Sequence, residues 1–120
     1  MPYPGGNAAA GVTSGVLAPT RIYVLGGYPT FNLNQIYDPE TDTWTMGALM
    51  PTNRYGLGVA VVDDLIYAIG GPGANAIVAN ERYTPADFIP EFPSWTPLLL
   101  VLTVLAVAIV IYRRKLHNPR

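Results

Sequence analysis

Ile22-Tyr23-Val24-Leu25-Gly26-Gly27 and Ile66-Tyr67-Ala68-Ile69-Gly70-Gly71 are two versions of one hexapeptide, 44 residues apart. Downstream, Gln35-Ile36-Tyr37-Asp38-Pro39 is echoed by Glu81-Arg82-Tyr83-Thr84-Pro85 at an offset of 46. Upstream, Met50-Pro51 and the Gly-Val-Ala run behind it have a weaker counterpart in Met1-Pro2 and residues 7–12. Three blocks recurring in one order make an internal repeat, which has to be recognised before secondary structure is read. Within a unit the pattern is that of short strands. Residues 56–62 are an apolar run stopped by Asp63-Asp64, which reads as a hairpin turn into the β-branched and aromatic run 65–69. Further strands are predicted over 33–37 in the first unit, 77–83 in the second, and 43–46 around Trp44. Four short antiparallel strands in about 45 residues make one propeller blade.

At these residues the chain resembles the kelch repeat. The marks are the doublets Gly26-Gly27 and Gly70-Gly71, the later Tyr37 and Tyr83, Trp44 behind the turn 38–43, and Met50-Pro-Thr-Asn-Arg54 opening the second unit. A WD40 blade has a similar period, but its Gly-His and Trp-Asp signatures are missing. The resemblance implies an all-β fold of about two four-stranded antiparallel kelch blades, a partial β-propeller. It divides residues 1–85 into a partial unit at 1–20, a blade at 21–49 and an incomplete blade at 50–85. The second blade is expected to be one strand short, because no Trp follows Tyr83 until Trp95. Two blades do not close a ring, since propellers have about 4 to 8. Physical reasons for the motif stand beside the family name. A Gly pair at a strand end permits positive φ and close approach of a neighbouring backbone. Tyr37 and Trp44 supply large flat surfaces suited to packing between sheets.

The chain has 120 residues, 50% hydrophobic and 12% charged, and its net charge of -1 conceals a division. All eight acids and only Arg21, Arg54 and Arg82 precede Trp95, which leaves that segment at -5. Arg113, Arg114, Lys115 and Arg120 close the chain. Between them the run 96–112, TPLLLVLTVLAVAIVIY, carries no charge and reads as one C-terminal transmembrane helix, apolar all round. Trp95 and Tyr112 sit where interfacial aromatics belong, and the basic tail 113–120 is placed in the cytoplasm by the positive-inside rule. The expected location is therefore the cell membrane, single-pass, with the N-terminal part extracellular. The opening residues show no charged n-region and no apolar h-region, so the chain reads either as the C-terminal piece of a longer exported protein or as a tail-anchored one. The basic tail favours the first.

Residues 86–95 form a Pro-rich stretch before the helix. Pro90-Glu91-Phe92-Pro93, followed by an apolar helix and Arg-Arg-Lys, is similar to the archaeal PEF-CTERM sorting tail. That resemblance implies an archaeal surface protein and an archaeosortase-type processing enzyme as partner, with Pro90, Glu91, Phe92 and Pro93 as the recognised motif. The plainer alternative is a Pro-stiffened stalk ahead of a permanent anchor.

Candidate chemistry is thin. With no Cys and a single His, His117, there is no disulfide framework, thiolate site or cysteine nucleophile, and no grouping of nucleophile, base and orienting residue. No catalytic residue, metal or cofactor is expected, and near-neutral charge argues against nucleic acid. Asp38, Glu40 and Asp42 alternate as in a calcium loop but lack its Gly and closing Glu, so a solvated turn is the better reading. Arg54, opening a strand, is a candidate ligand contact at a propeller mouth or a structural arginine. The functional expectation is a membrane-anchored extracellular kelch module that binds a protein or glycan. Its alternatives are a spacer and anchor for an upstream enzymatic domain, and a two-blade unit that closes a ring as a homo-oligomer.

Overall fold

The computed structural model describes residues 1–72, 78–90 and 96–117. It falls into two units, Met1–Ile89 and Pro90–Arg120. The first is mostly β. Strands β1 (Ala9–Val12), β2 (Ile22–Leu25), β3 (Asn34–Asp38) and β4 (Thr43–Met46) form an antiparallel sheet in that order. Strands β5 (Gly58–Val62), β6 (Leu65–Ile69) and β7 (Asn80–Tyr83) form a second, three-stranded sheet. Among the described residues no fourth strand joins this second sheet.

Register shows that the two sheets are copies. Ile22 pairs with Tyr37 and Leu25 with Asn34 in the first sheet, as Ile66 pairs with Tyr83 and Ile69 with Asn80 in the second. The sequence places a partial unit at 1–20, whereas β1, drawn from that stretch, is the edge strand of the first sheet. Val12 pairs with Ile22 as Val61 pairs with Ile66. The two first strands are 49 residues apart although the second strands are 44 apart, because residues 13–21 connect β1 to β2 where Asp63-Asp64 alone connect β5 to β6. Asn7 and Gly56 keep the same offset, and both have positive φ, 57° and 58°.

The sheets stack through alternate side chains, since successive residues of a strand face opposite sides. Tyr23, Leu25 and Ile36 of the first sheet and Ile66 and Ala68 of the second are buried in one cluster with Met50 and Leu57 of the connecting segment. Burying such a Leu or Ile contributes roughly 1.5 to 3 kcal/mol. At Gly11 of β1 an added Cβ would lie 2.8 Å from Val61 and 2.9 Å from Val59, so β1 and β5 lie closely against each other.

In the second unit, α1 (Thr96–His117) carries Arg114, Lys115 and His117 in its last turn, where cations complement the helix dipole. It runs past the expected end at Tyr112 and takes in most of the basic tail. Its described large apolar side chains, from Leu100 to Leu116, are all exposed. Among the described residues no helix is long and apolar enough to cross a membrane. This corrects the expectation of a spanning helix. Within α1 the uncharged run 96–112 is about 26 Å long, against a hydrocarbon core of roughly 30 Å, and charged residues follow it at once. Glu91, Phe92, Pro93 and Trp95 lie outside the described residues, and Pro90 is in neither strand nor helix.

At the turn end of the first unit one carboxylate ties the sheets together. Asp63 and Asp64 form a two-residue hairpin turn, both with positive φ, the geometry favoured between twisted strands. Asp64 is also 3% exposed, and its carboxylate reaches across to the 13–21 connection. Ser14 N donates to Oδ1 at 2.6 Å, while Ser14 Oγ, Leu17 N and Ala18 N donate to Oδ2 at 2.9, 2.7 and 3.0 Å. Burial alone would raise this carboxyl's pKa, but the hydrogen bonds outweigh it and bring it from 3.8 down to about 2. A depressed carboxylate stabilises the fold above its unfolded pKa and loses that contribution as pH falls through its folded one. Stability in denaturant is therefore expected to drop between about pH 4 and pH 2. Asp64→Asn should be less stable at neutral pH and show a shallower drop; an equally steep acid limb in the variant would assign the loss to other groups.

Candidate functional site

Arg54, singled out in the sequence, is held by internal contacts. It is 0% exposed. Its backbone belongs to the first sheet: Arg54 N donates to Phe31 O at 2.9 Å and Arg54 O accepts from Gly27 N at 3.0 Å. Its side chain belongs to the second. Nη1 donates to the carbonyls of Ala68, Gly70 and Ala79 at 3.1 to 3.2 Å, and Nη2 lies 3.0 Å from Glu81 Oε2. That ion pair is in contact but out of line for a hydrogen bond. Thr52 Oγ1 donates to the other carboxylate oxygen, Oε1. The sequence left Arg54 between ligand contact and structural arginine, and the structure makes it structural. Gly26 explains its neighbour: at φ 66° an added Cβ would collide with the Arg54 carbonyl.

The same clasp fixes a surface that the sequence reading missed. Tyr28 follows the first Gly pair and Tyr55 follows Arg54, and Phe31 lies between them in space. The Tyr28 and Phe31 rings are 5.6 Å apart, nearly edge to face, and Phe31 and Tyr55 are 5.9 Å apart. Tyr28 is 63% exposed, yet its backbone is held at both ends, donating to Gly6 O at 2.7 Å and accepting from Gly6 N at 2.9 Å. Thr30 Oγ1 donates to Pro4 O at 2.9 Å. The result is a fixed row of aromatic rings at the Gly-Gly end of the sheets. An aromatic residue abutting Gly in two loops, Gly27-Tyr28 and Tyr55-Gly56, was the available signal.

The motif residues themselves do not converge on a site. Gly26 and Gly27 have φ of 66° and 95°, and Gly70 and Gly71 repeat these at 67° and 97°. Tyr37 pairs across the ladder with Trp44, their rings 5.0 Å apart, and its hydroxyl donates to Asp42 at 2.8 Å, a bond that raises its pKa. Trp44 is half-buried on the outer strand β4. Asp38 Oδ1 accepts from Glu40 N, so the alternating acids are occupied in a turn. Tyr83 lies against Tyr23, ring centroids 5.7 Å apart; burial, then the neighbouring Tyr83 phenol, push the Tyr23 pKa up to about 12. Arg21 bridges Asp38 at 3.3 Å and Asp87 at 3.2 Å on the surface, where such pairs contribute little. Tyr112, Arg113, Arg114 and Lys115 belong to α1 of the second unit. Among the described residues no group of three His, Cys, Asp or Glu is placed to hold a metal ion.

No family model matches the chain. It is 44% identical over 61 residues to Kelch-like protein 15 of Danio rerio, an alignment covering 51% of this chain and 10% of that protein. It is 38% identical over 87 residues to Kelch-like protein terF of Aspergillus terreus, covering 65% of the chain and 19% of the relative. To the Kelch repeat and BTB domain-containing protein 2 of Ectromelia virus it is 34% identical over 89 residues, covering 67% and 16%. The chain thus spans between a tenth and a fifth of the length of these relatives. At this modest identity, the kelch-repeat homologues support reading the chain as a kelch-repeat protein.

Proposed function

We propose that the chain is a protein-interaction module in which two stacked kelch units hold their loops rigid and the row Tyr28, Phe31 and Tyr55 meets a protein partner. The observation that carries this reading is the row itself. An exposed Tyr28 ring backed by the half-buried Phe31 and Tyr55, on backbone held by hydrogen bonds, offers contact area at little entropic cost, and tyrosine is enriched at protein interfaces. No catalytic group stands beside them among the described residues. Once a partner is identified by crosslinking to the full chain, purified partner is expected to bind Tyr28→Ala at least about fivefold more weakly, about 1 kcal/mol, with an unchanged melting temperature. Equal affinity would remove the row from the interface.

Membrane attachment belongs to the same reading and rests on the sequence. The uncharged run 96–112 is about 26 Å long as a helix, short of a roughly 30 Å hydrocarbon core, so attachment and not crossing is proposed, with Arg113, Arg114 and Lys115 at anionic headgroups. Sorting at Pro90-Glu91-Phe92-Pro93 rests on the resemblance to the archaeal surface tail. Full-length chain is expected to float with anionic vesicles while a chain ending at residue 95 stays behind; flotation of both, or of neither, would exclude the helix as anchor.

A further inference from the structure

The edge of β7 that faces away from β6 has no strand beside it among the described residues. The chain leaves β7 in another direction: Asp87 pairs with Arg21, and Ile89 N donates to Leu17 O at 2.6 Å. Two clefts are left alongside. One, of about 200 Å³, is lined by Asn34, Met50 and Glu81; the other, of about 280 Å³, by Tyr23, Thr43 and Thr45; both reach Tyr83. Buried polar groups are ordinarily hydrogen-bonded. Asn34 is 1% exposed, yet neither its Nδ2 nor its Oδ1 has a hydrogen-bond partner.

From this arrangement we infer that the groove along β7 takes an extended peptide of another protein as a fourth strand, by strand addition to a free edge. The inference rests on the reading of the chain as an interaction module and adds a second surface to it. The first sheet supplies the template. There β4 occupies the equivalent place, with Trp44 opposite Tyr37, Thr45 opposite Ile36 and Met46 opposite Gln35. Carried to β7, the incoming strand puts an aromatic ring opposite Tyr83 and, two residues on, a carboxamide opposite Glu81, within the cleft that holds the unpartnered Asn34. The residue between them lies opposite the exposed Arg82, where an acid is complementary. The peptide's chemistry is therefore Thr-Trp-Glu-Gln in an extended segment, its main chain supplying the ladder.

The test uses a fluorescein-labelled, acetylated peptide with that core, titrated into the full chain and followed by anisotropy. Saturable binding is expected, together with slowed amide exchange over Asn80–Tyr83. N-methylation of alternate peptide amides, in one of its two phases, should weaken binding about tenfold or more. Tyr28→Ala should bind the peptide unchanged. No saturable binding at millimolar concentration, or equal binding of both N-methylated forms, would overturn the inference. So would exchange that is already slow without peptide, which would mean that a segment of this chain or a second copy fills the groove. Loss of peptide binding in Tyr28→Ala would move the peptide to the aromatic row, and failure at β7 with partner binding intact at Tyr28 leaves the broader reading standing.

Discussion

A single guanidinium, that of Arg54, lies at the meeting point of the two sheets, and the rest of the first unit depends on where it is held. Burying a cation is costly unless it is paired and hydrogen-bonded, and Arg54 is both. Three carbonyls of the second sheet and the carboxylate of Glu81 fix its head, while Phe31 O and Gly27 N fix its backbone against the first. Neither sheet could satisfy the residue alone. Removing the side chain would take the counter-charge from Glu81 and a donor from each of three carbonyl oxygens, which makes the contact stabilising mainly through the penalty of losing it.

At the opposite end of the seam the logic is inverted. Asp64 brings one carboxylate to a cluster of N–H and O–H donors, as Arg54 brings one cation to a cluster of carbonyls. Apolar side chains fill the middle. Two ends of opposite sign fix the angle between the sheets, and so the loops they carry are held as well. The aromatic row inherits its rigidity from the Arg54 end, since Tyr55 is the next residue and Phe31 accepts from the Arg54 amide.

Much of the fold was legible because its determinants are local and repeated. The Gly doublets, the hairpin at Asp63-Asp64 and the repeated register of the two sheets could all be read from self-comparison. What stayed hidden depends on contacts distant in sequence. The first strand at Ala9–Val12 was obscured by the longer 13–21 connection, whose purpose, to wrap the Asp64 carboxylate, is invisible without the second sheet. Arg54 stayed open between ligand contact and structural arginine because most of its acceptors are backbone atoms, which leave no trace in side-chain identity. Repetition also hides differences: Leu25 is 2% exposed and Ile69, its counterpart, 48%, because one faces a neighbouring sheet and the other does not. The candidate surface was less legible still. Tyr28, Phe31 and Tyr55 are scattered in the chain and are gathered only by the seam, while the motif residues that stand out in sequence are occupied in architecture.

The central claim is that Arg54 couples the two sheets into one cooperative unit. Its most direct test is equilibrium unfolding of the full chain, in wild type and in Arg54→Leu, with amide signals of Ile36 reporting the first sheet and those of Ile66 the second. A single coincident transition is predicted for the wild type. The variant should lose about 3 to 5 kcal/mol, with the Ile66 transition separating to lower denaturant. A variant whose midpoint is unchanged and whose two signals still melt together would contradict the account.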